Sequence, residues 1–143
     1  LMKFCQSRLS VATLDQIGAA ALYSVDDSFI SESIKEYRHR RDVCISGLRK
    51  IPGVLAEEPM GAFYLMAKLP VDNAEKFQTW LLTEFDDRGD TVMFAPGMSF
   101  YATEGYGVDE IRIAYVLEEK SLSRAIELLG IGISRYRKEI MNV

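Results

Sequence analysis

The stretch from Ile30 to Ile51 constrains this chain most. Ile30, Ile34, Tyr37, Arg41, Cys44, Leu48 and Ile51 follow one another at alternating steps of four and three. That is the spacing of one helix face, so it predicts a single long helix here. Pro52-Gly53 ends it, because proline lacks the amide donor and glycine accepts the left-handed turn. A helix this long in a chain of 143 residues suits bracing one domain against another.

The remaining elements are shorter. Thr13 and Gln16 form a T-x-x-Q capping box for an alanine-rich helix over about residues 14–23, and Asp26, Asp27 and Ser28 offer the start of the long helix. Val54–Ala56 and Ala62–Leu69 read as extended, the second opened by Gly61 and closed by Pro70. Asp72 and Glu75 give a D-x-x-E start to a helix that buries Phe77, Trp80, Leu81 and Phe85, with Gly89 as its C′ residue. Thr91–Ala95 is a short apolar strand, 96–107 a glycine-rich loop with three aromatics, and Ile111–Leu117 a further strand. Leu122, Ala125, Ile126, Leu129, Ile133 and Tyr136 mark the apolar face of a last helix. The order predicts one α+β two-layer domain over 1–143, a small mixed or antiparallel sheet packed against helices.

Composition narrows the function classes. With 48% hydrophobic and 27% charged residues the chain has material for a packed core. A net charge of −4 is not the basic footprint of a nucleic-acid binder. No apolar run approaches the ~20 residues a membrane helix needs. Cys5 and Cys44 lack C-x-x-C spacing and there is one histidine, which argues against a zinc site and for two reduced thiols in a cytoplasmic protein. LMKFCQSRLS has no signal-peptide core, and its apolar opening reads as a chain cut from something longer.

Few side chains could carry chemistry. His39 sits in RHRR, flanked by Glu32, Glu36 and Asp42, which suggests i,i+4 pairing on a solvated face. Arg41 is different: it lies on the apolar stripe and needs an acidic partner from elsewhere. Gly105 and Gly107 make only a G-x-G, outside any strand-to-helix context. Adjacent carboxylates such as Glu57-Glu58 diverge, and no nucleophile is tied to a base. Arg112 remains. In EIRIAYV, Ile111, Ile113 and Tyr115 alternate onto one face and Arg112 points to the other. By itself it is either a solvated spacer or a charge held for a ligand. The preceding loop, APGMSFYATEGYG, can bring backbone and aromatic rings close to a small molecule, and a guanidinium beside it suits a bidentate grip on a carboxylate.

Four landmarks in order resemble the C-terminal small domain of class I/II, fold-type I, pyridoxal-phosphate-dependent aminotransferases. PMGAFYLMAKL resembles the family's P-x-G-A-F-Y strand. VMFAPGMSFYATEGYGVDEIRIAYV is similar to its apolar strand, P-G-x-x-F loop and R-[IL] strand. EYRHRRDVCISGLRKIPGV is similar to its Y-x-x-R-R-D helix, and TLDQIGAAAL to the helix after the large domain. The tone is closest to aspartate- or alanine-type enzymes. The resemblance implies that Arg112 binds the α-carboxylate of an amino-acid substrate and that Pro96, Gly97 and Phe100 form an active-site loop at the domain interface. Tyr101 departs from the glycine many members carry after the loop's phenylalanine. It further implies pyridoxal 5'-phosphate in the full-length enzyme, amino-acid and 2-oxo-acid substrates, the protein's own large domain as partner, and a homodimer. The Schiff-base lysine in its S-x-[ST]-K context is absent here, so the chain alone is expected to hold no covalent cofactor, to contain no catalytic residue and to be inactive. A related fold-type I lyase acting on C–S bonds, and a stand-alone amino-acid or keto-acid binding domain, are the alternatives.

Overall fold

A computed structural model describes residues 2–3, 7 and 10–142. Cys5 lies outside the described residues. The chain divides into two compact units, residues 1–35 and 36–143.

In the first unit, α1 spans Thr13–Ala20 and tightens into a 3₁₀ turn over Ala21–Ser24. The expected capping box does not form. Thr13 is already helical, and the flanking residue with extended backbone is Ala12, which has no side-chain acceptor. Gln16 instead donates its amide to the Val11 carbonyl at 2.8 Å. Asp26 does start the next helix: its carboxylate accepts the Ser28 amide at 2.8 Å, and bonds from Ser28 hold its pKa below the usual carboxylate value.

That helix, α2, spans Asp27–Leu48 and ends in the second unit. Only its last turns enter a core, through Cys44, Ile45 and Leu48, while Ile30 and Ile34 are each 53% exposed. Ile51 falls beyond the helix, in the turn through Pro52 and Gly53. Burial pushes the Cys44 thiol up to about 12.

The second unit carries β1 (Leu55–Ala56), β2 (Tyr64–Lys68), α3 (Ala74–Thr83), β3 (Ala95–Pro96), β4 (Glu110–Ala114) and α4 (Glu119–Tyr136). The strands lie in the order β1-β2-β4-β3, every pair antiparallel. Leu65, Ala67 and Ile111 share the buried face and join the core with residues of α3, α4 and the end of α2. α4 supplies Leu122, Ile126, Leu129, Ile133 and Tyr136, as its periodicity predicts. Tyr136 packs between Phe77 and Trp80, with ring centroids 5.0 and 5.4 Å away.

Four local expectations change. α3 is capped by Asn73, whose side chain accepts the amides of Glu75 and Lys76 at 2.9 and 3.1 Å. Asp72 turns away and accepts the Tyr136 hydroxyl at 2.9 Å. Gly89 is not the C′ residue, because α3 stops at Thr83. Arg88 and Gly89 both have positive φ, 62° and 84°, and close a tight turn between Asp87 and Asp90. Of the predicted Thr91–Ala95 strand only Ala95 pairs, together with Pro96. Thr91 donates its hydroxyl to the Leu81 carbonyl and Phe94 its amide to Gln78 Oε1, so this segment is tied to α3 instead of a ladder. Likewise β4 ends at Ala114, although the Tyr115 amide still donates to the Phe63 carbonyl at 2.9 Å. Among the described residues no helix is long and apolar enough to cross a membrane, and no cluster of potential metal ligands occurs.

Candidate functional site around Arg112

β4 is amphipathic, and its pairing with β2 decides what shares each face. Tyr64 pairs with Ala114, Met66 with Arg112 and Lys68 with Glu110, so these residues lie on the face away from the buried Leu65, Ala67 and Ile111. Arg112 is partly buried there.

The loop between β3 and β4 is built to fold back over that face. Pro96 pairs with Ile111, and the Gly97 amide donates to the Glu110 carbonyl at 2.7 Å. A methyl group on Gly97 would lie 2.7 Å from that carbonyl oxygen, so only glycine allows this approach. A short 3₁₀ turn, Met98–Phe100, then carries the chain back. Tyr101 has ordinary extended backbone (φ −104°), a conformation that does not call for glycine. Its hydroxyl donates to the Glu110 carboxylate, which raises the phenol pKa, and its ring packs against Gly107.

The outcome is a guanidinium between two rings. Arg112 Cζ lies 4.5 Å from the Phe100 centroid and 5.2 Å from the Tyr64 centroid. Among the described residues no carboxylate or carbonyl pairs with Arg112. Other partly buried arginines differ: Arg41 meets Asp42 and Glu58 at 2.7 and 3.1 Å, Arg124 meets Asp87, Asp90 and Glu127, and Arg137 has a buried Nε with no hydrogen-bond partner among the described residues. Glu58 is the distant acid expected for Arg41. These bonds hold both guanidinium pKa values above normal and the Asp87 carboxyl below its usual range. Arg112 thus keeps a planar set of donors, held in place and free to take an anion.

Pro96, Gly97 and Phe100 therefore lie beside Arg112. Tyr64 was missed. It sits in the P-x-G-A-F-Y stretch, but only the register of β2 on β4 brings it to Arg112. His39 stays outside the site. It faces Glu119 at 3.0 Å, and that bond raises its pKa. Arg40 pairs with Glu36 one turn away, as expected for a solvated face.

No family model matches the chain. Its sequence is 31% identical over 122 residues to aspartate aminotransferase of Pyrococcus horikoshii, covering 82% of this chain and 29% of that protein. It is 31% identical over 140 residues to the probable aspartate/prephenate aminotransferase of Aquifex aeolicus, covering 96% of this chain and 32% of that one. In structure it is similar to the α-aminoadipate aminotransferase LysN of Thermus thermophilus, solved with N-(5'-phosphopyridoxyl)-L-leucine: TM-score 0.76, 22% identity, 94% of this chain and 34% of that one. The chain spans about a third of the length of the relatives it matches.

Proposed function

The chain belongs to the fold-type I aminotransferases of the aspartate/alanine type, and from that premise we propose that residues 1–143 are the C-terminal small domain of a pyridoxal-phosphate-dependent aminotransferase, with Arg112 as the residue that binds the substrate α-carboxylate. The observation that carries this is the guanidinium of Arg112, oriented by two rings and paired with no acid among the described residues. A carboxylate meets such a group through two parallel charge-assisted hydrogen bonds, which fix both the position and the plane of the substrate.

The side chains present do not fit pyridoxal phosphate itself. The sequence holds no S-x-[ST]-K. Lys68 is engaged by Asp109 at 3.1 Å and Lys76 by Asp72 at 3.6 Å, while Arg124 is taken up by acids. This chain's work is to bind and orient: holding the carboxylate turns an encounter into a positioned reactant for groups outside these residues. The whole enzyme, cytoplasmic and homodimeric on this reading, exchanges an amino group between an amino acid such as aspartate or alanine and a 2-oxo acid.

In that enzyme Arg112→Ala raises KM for every amino-acid substrate by roughly a hundredfold, the cost of removing one partner of a hydrogen-bonded charge pair. Arg112→Lys restores little, since an ammonium cannot present the planar fork. Steady-state kinetics with several amino acids checks this; an unchanged KM in Arg112→Ala refutes the assignment.

A further inference from the structure

Among the described residues the Arg112 side chain makes no hydrogen bond or ion pair, yet the residue is only partly exposed, which raises the question of what fixes the guanidinium's orientation. An arginine side chain has four rotatable bonds, and a free one samples many rotamers. Here the contacts that restrain the charged end are the two ring faces, Phe100 at 4.5 Å and Tyr64 at 5.2 Å. Both rings are themselves anchored. Tyr64 sits in the β2–β4 ladder, with the Phe63 ring edge-on to it at 5.8 Å. Phe100 ends the 3₁₀ turn that Gly97 starts, and the Phe100 amide donates to the Gly97 carbonyl at 2.9 Å.

We propose that Phe100 and Tyr64 are positioning residues: as an aromatic clamp they hold the Arg112 guanidinium in the plane that receives a carboxylate, in place of the acidic partner that orients Arg41 and Arg124. This rests on reading Arg112 as a carboxylate grip. The physical advantage is specific. An acid would orient the guanidinium equally well but would occupy its donors and cancel its charge. A ring face restrains the cation through its quadrupole and leaves every N–H free at the edge. Restraint before binding means less freedom is lost on binding, and affinity rises without any new contact to the ligand.

The test uses the full-length enzyme proposed above, with arginine side chains labelled with ¹⁵N, and maleate as the probe. In the parent, the Arg112 Nε–H signal carries a ring-current shift. Phe100→Leu and Tyr64→Leu keep apolar bulk but remove the π face. Each moves that signal and weakens maleate binding roughly two- to fivefold, the size of one partly exposed cation–π contact. Phe100→Tyr and Tyr64→Phe keep the ring and restore both readouts, which a purely structural role would not require. Unchanged affinity in both leucine variants overturns the clamp, whether or not the signal moves. That failure is distinct from failure of the grip: Arg112→Ala that binds maleate like the parent, or a parent that does not bind at millimolar maleate, removes the carboxylate reading and the clamp with it.

Discussion

Gly97→Ala tests whether the loop that carries Phe100 rests on β4 as tightly as the geometry states. The new methyl would lie 2.7 Å from the Glu110 carbonyl oxygen, 2.8 Å from its Cβ and 2.9 Å from its carbonyl carbon, all below ordinary contact. Two of those three atoms are strand backbone, so no flexible side chain can yield, and the loop must lift instead. Lifting strains a packed contact, which costs about 1–3 kcal/mol. It also stretches the Gly97 amide bond to Glu110, now 2.7 Å, worth about 1 kcal/mol. The sum, about 2–4 kcal/mol, lowers Tm by about 8–15 °C for a chain of this size. Gly105→Ala is the control. Its φ of +85° carries backbone strain, but no atom lies within 4 Å of the added methyl, so the cost is limited to about 1–2 kcal/mol. Thermal and urea melts of both variants decide the matter. If Gly97→Ala costs no more than Gly105→Ala, the loop does not press on β4 and the placement of Phe100 over Arg112 loses its support.

Tyr136→Phe deletes the hydroxyl bonded to Asp72 while leaving the ring between Phe77 and Trp80, so urea melts show a loss of about 1 kcal/mol and no change in m-value. The His39–Glu119 pair makes stability depend on pH. Because the folded-state pKa is raised above 6.5, mainly by the hydrogen bond to Glu119 and with help from Glu36 and Asp42, the contribution is complete below that value and is lost as pH rises through the folded value. Melts of parent and His39→Gln between about pH 5 and pH 9 therefore differ at the acid end and converge at the alkaline end; a constant difference refutes the linkage.

Periodicity carried most of the elements. The four-three stripe gave α2, most of the α4 face was readable although Leu128 and Gly132 are also buried and Ala125 only partly so, and alternation in EIRIAYV set Arg112 opposite Ile111 and Tyr115. These are local facts, because a side chain's face follows from its own backbone geometry. Local competition was harder to read. Asp72 and Asn73 are both good caps, and what separates them is that Tyr136, 64 residues away, claims Asp72. Thr91–Ala95 has strand chemistry, but Gln78 and Leu81 on α3 take the groups a ladder would use.

By itself the sequence determined that a charged residue would stand on the open face of a strand, after a loop whose glycines let it pack closely. Only the tertiary structure decided what stands beside that charge. The β2–β4 register brings Tyr64 to Arg112 across 48 positions of chain, and the Gly97 contact folds Phe100 over it. Strand register depends on the summed fit of many distant side chains, and a slip of one residue would exchange Tyr64 for a buried neighbour. The orientation of the guanidinium is therefore a property of the assembled sheet, while its position on the strand belongs to the local sequence.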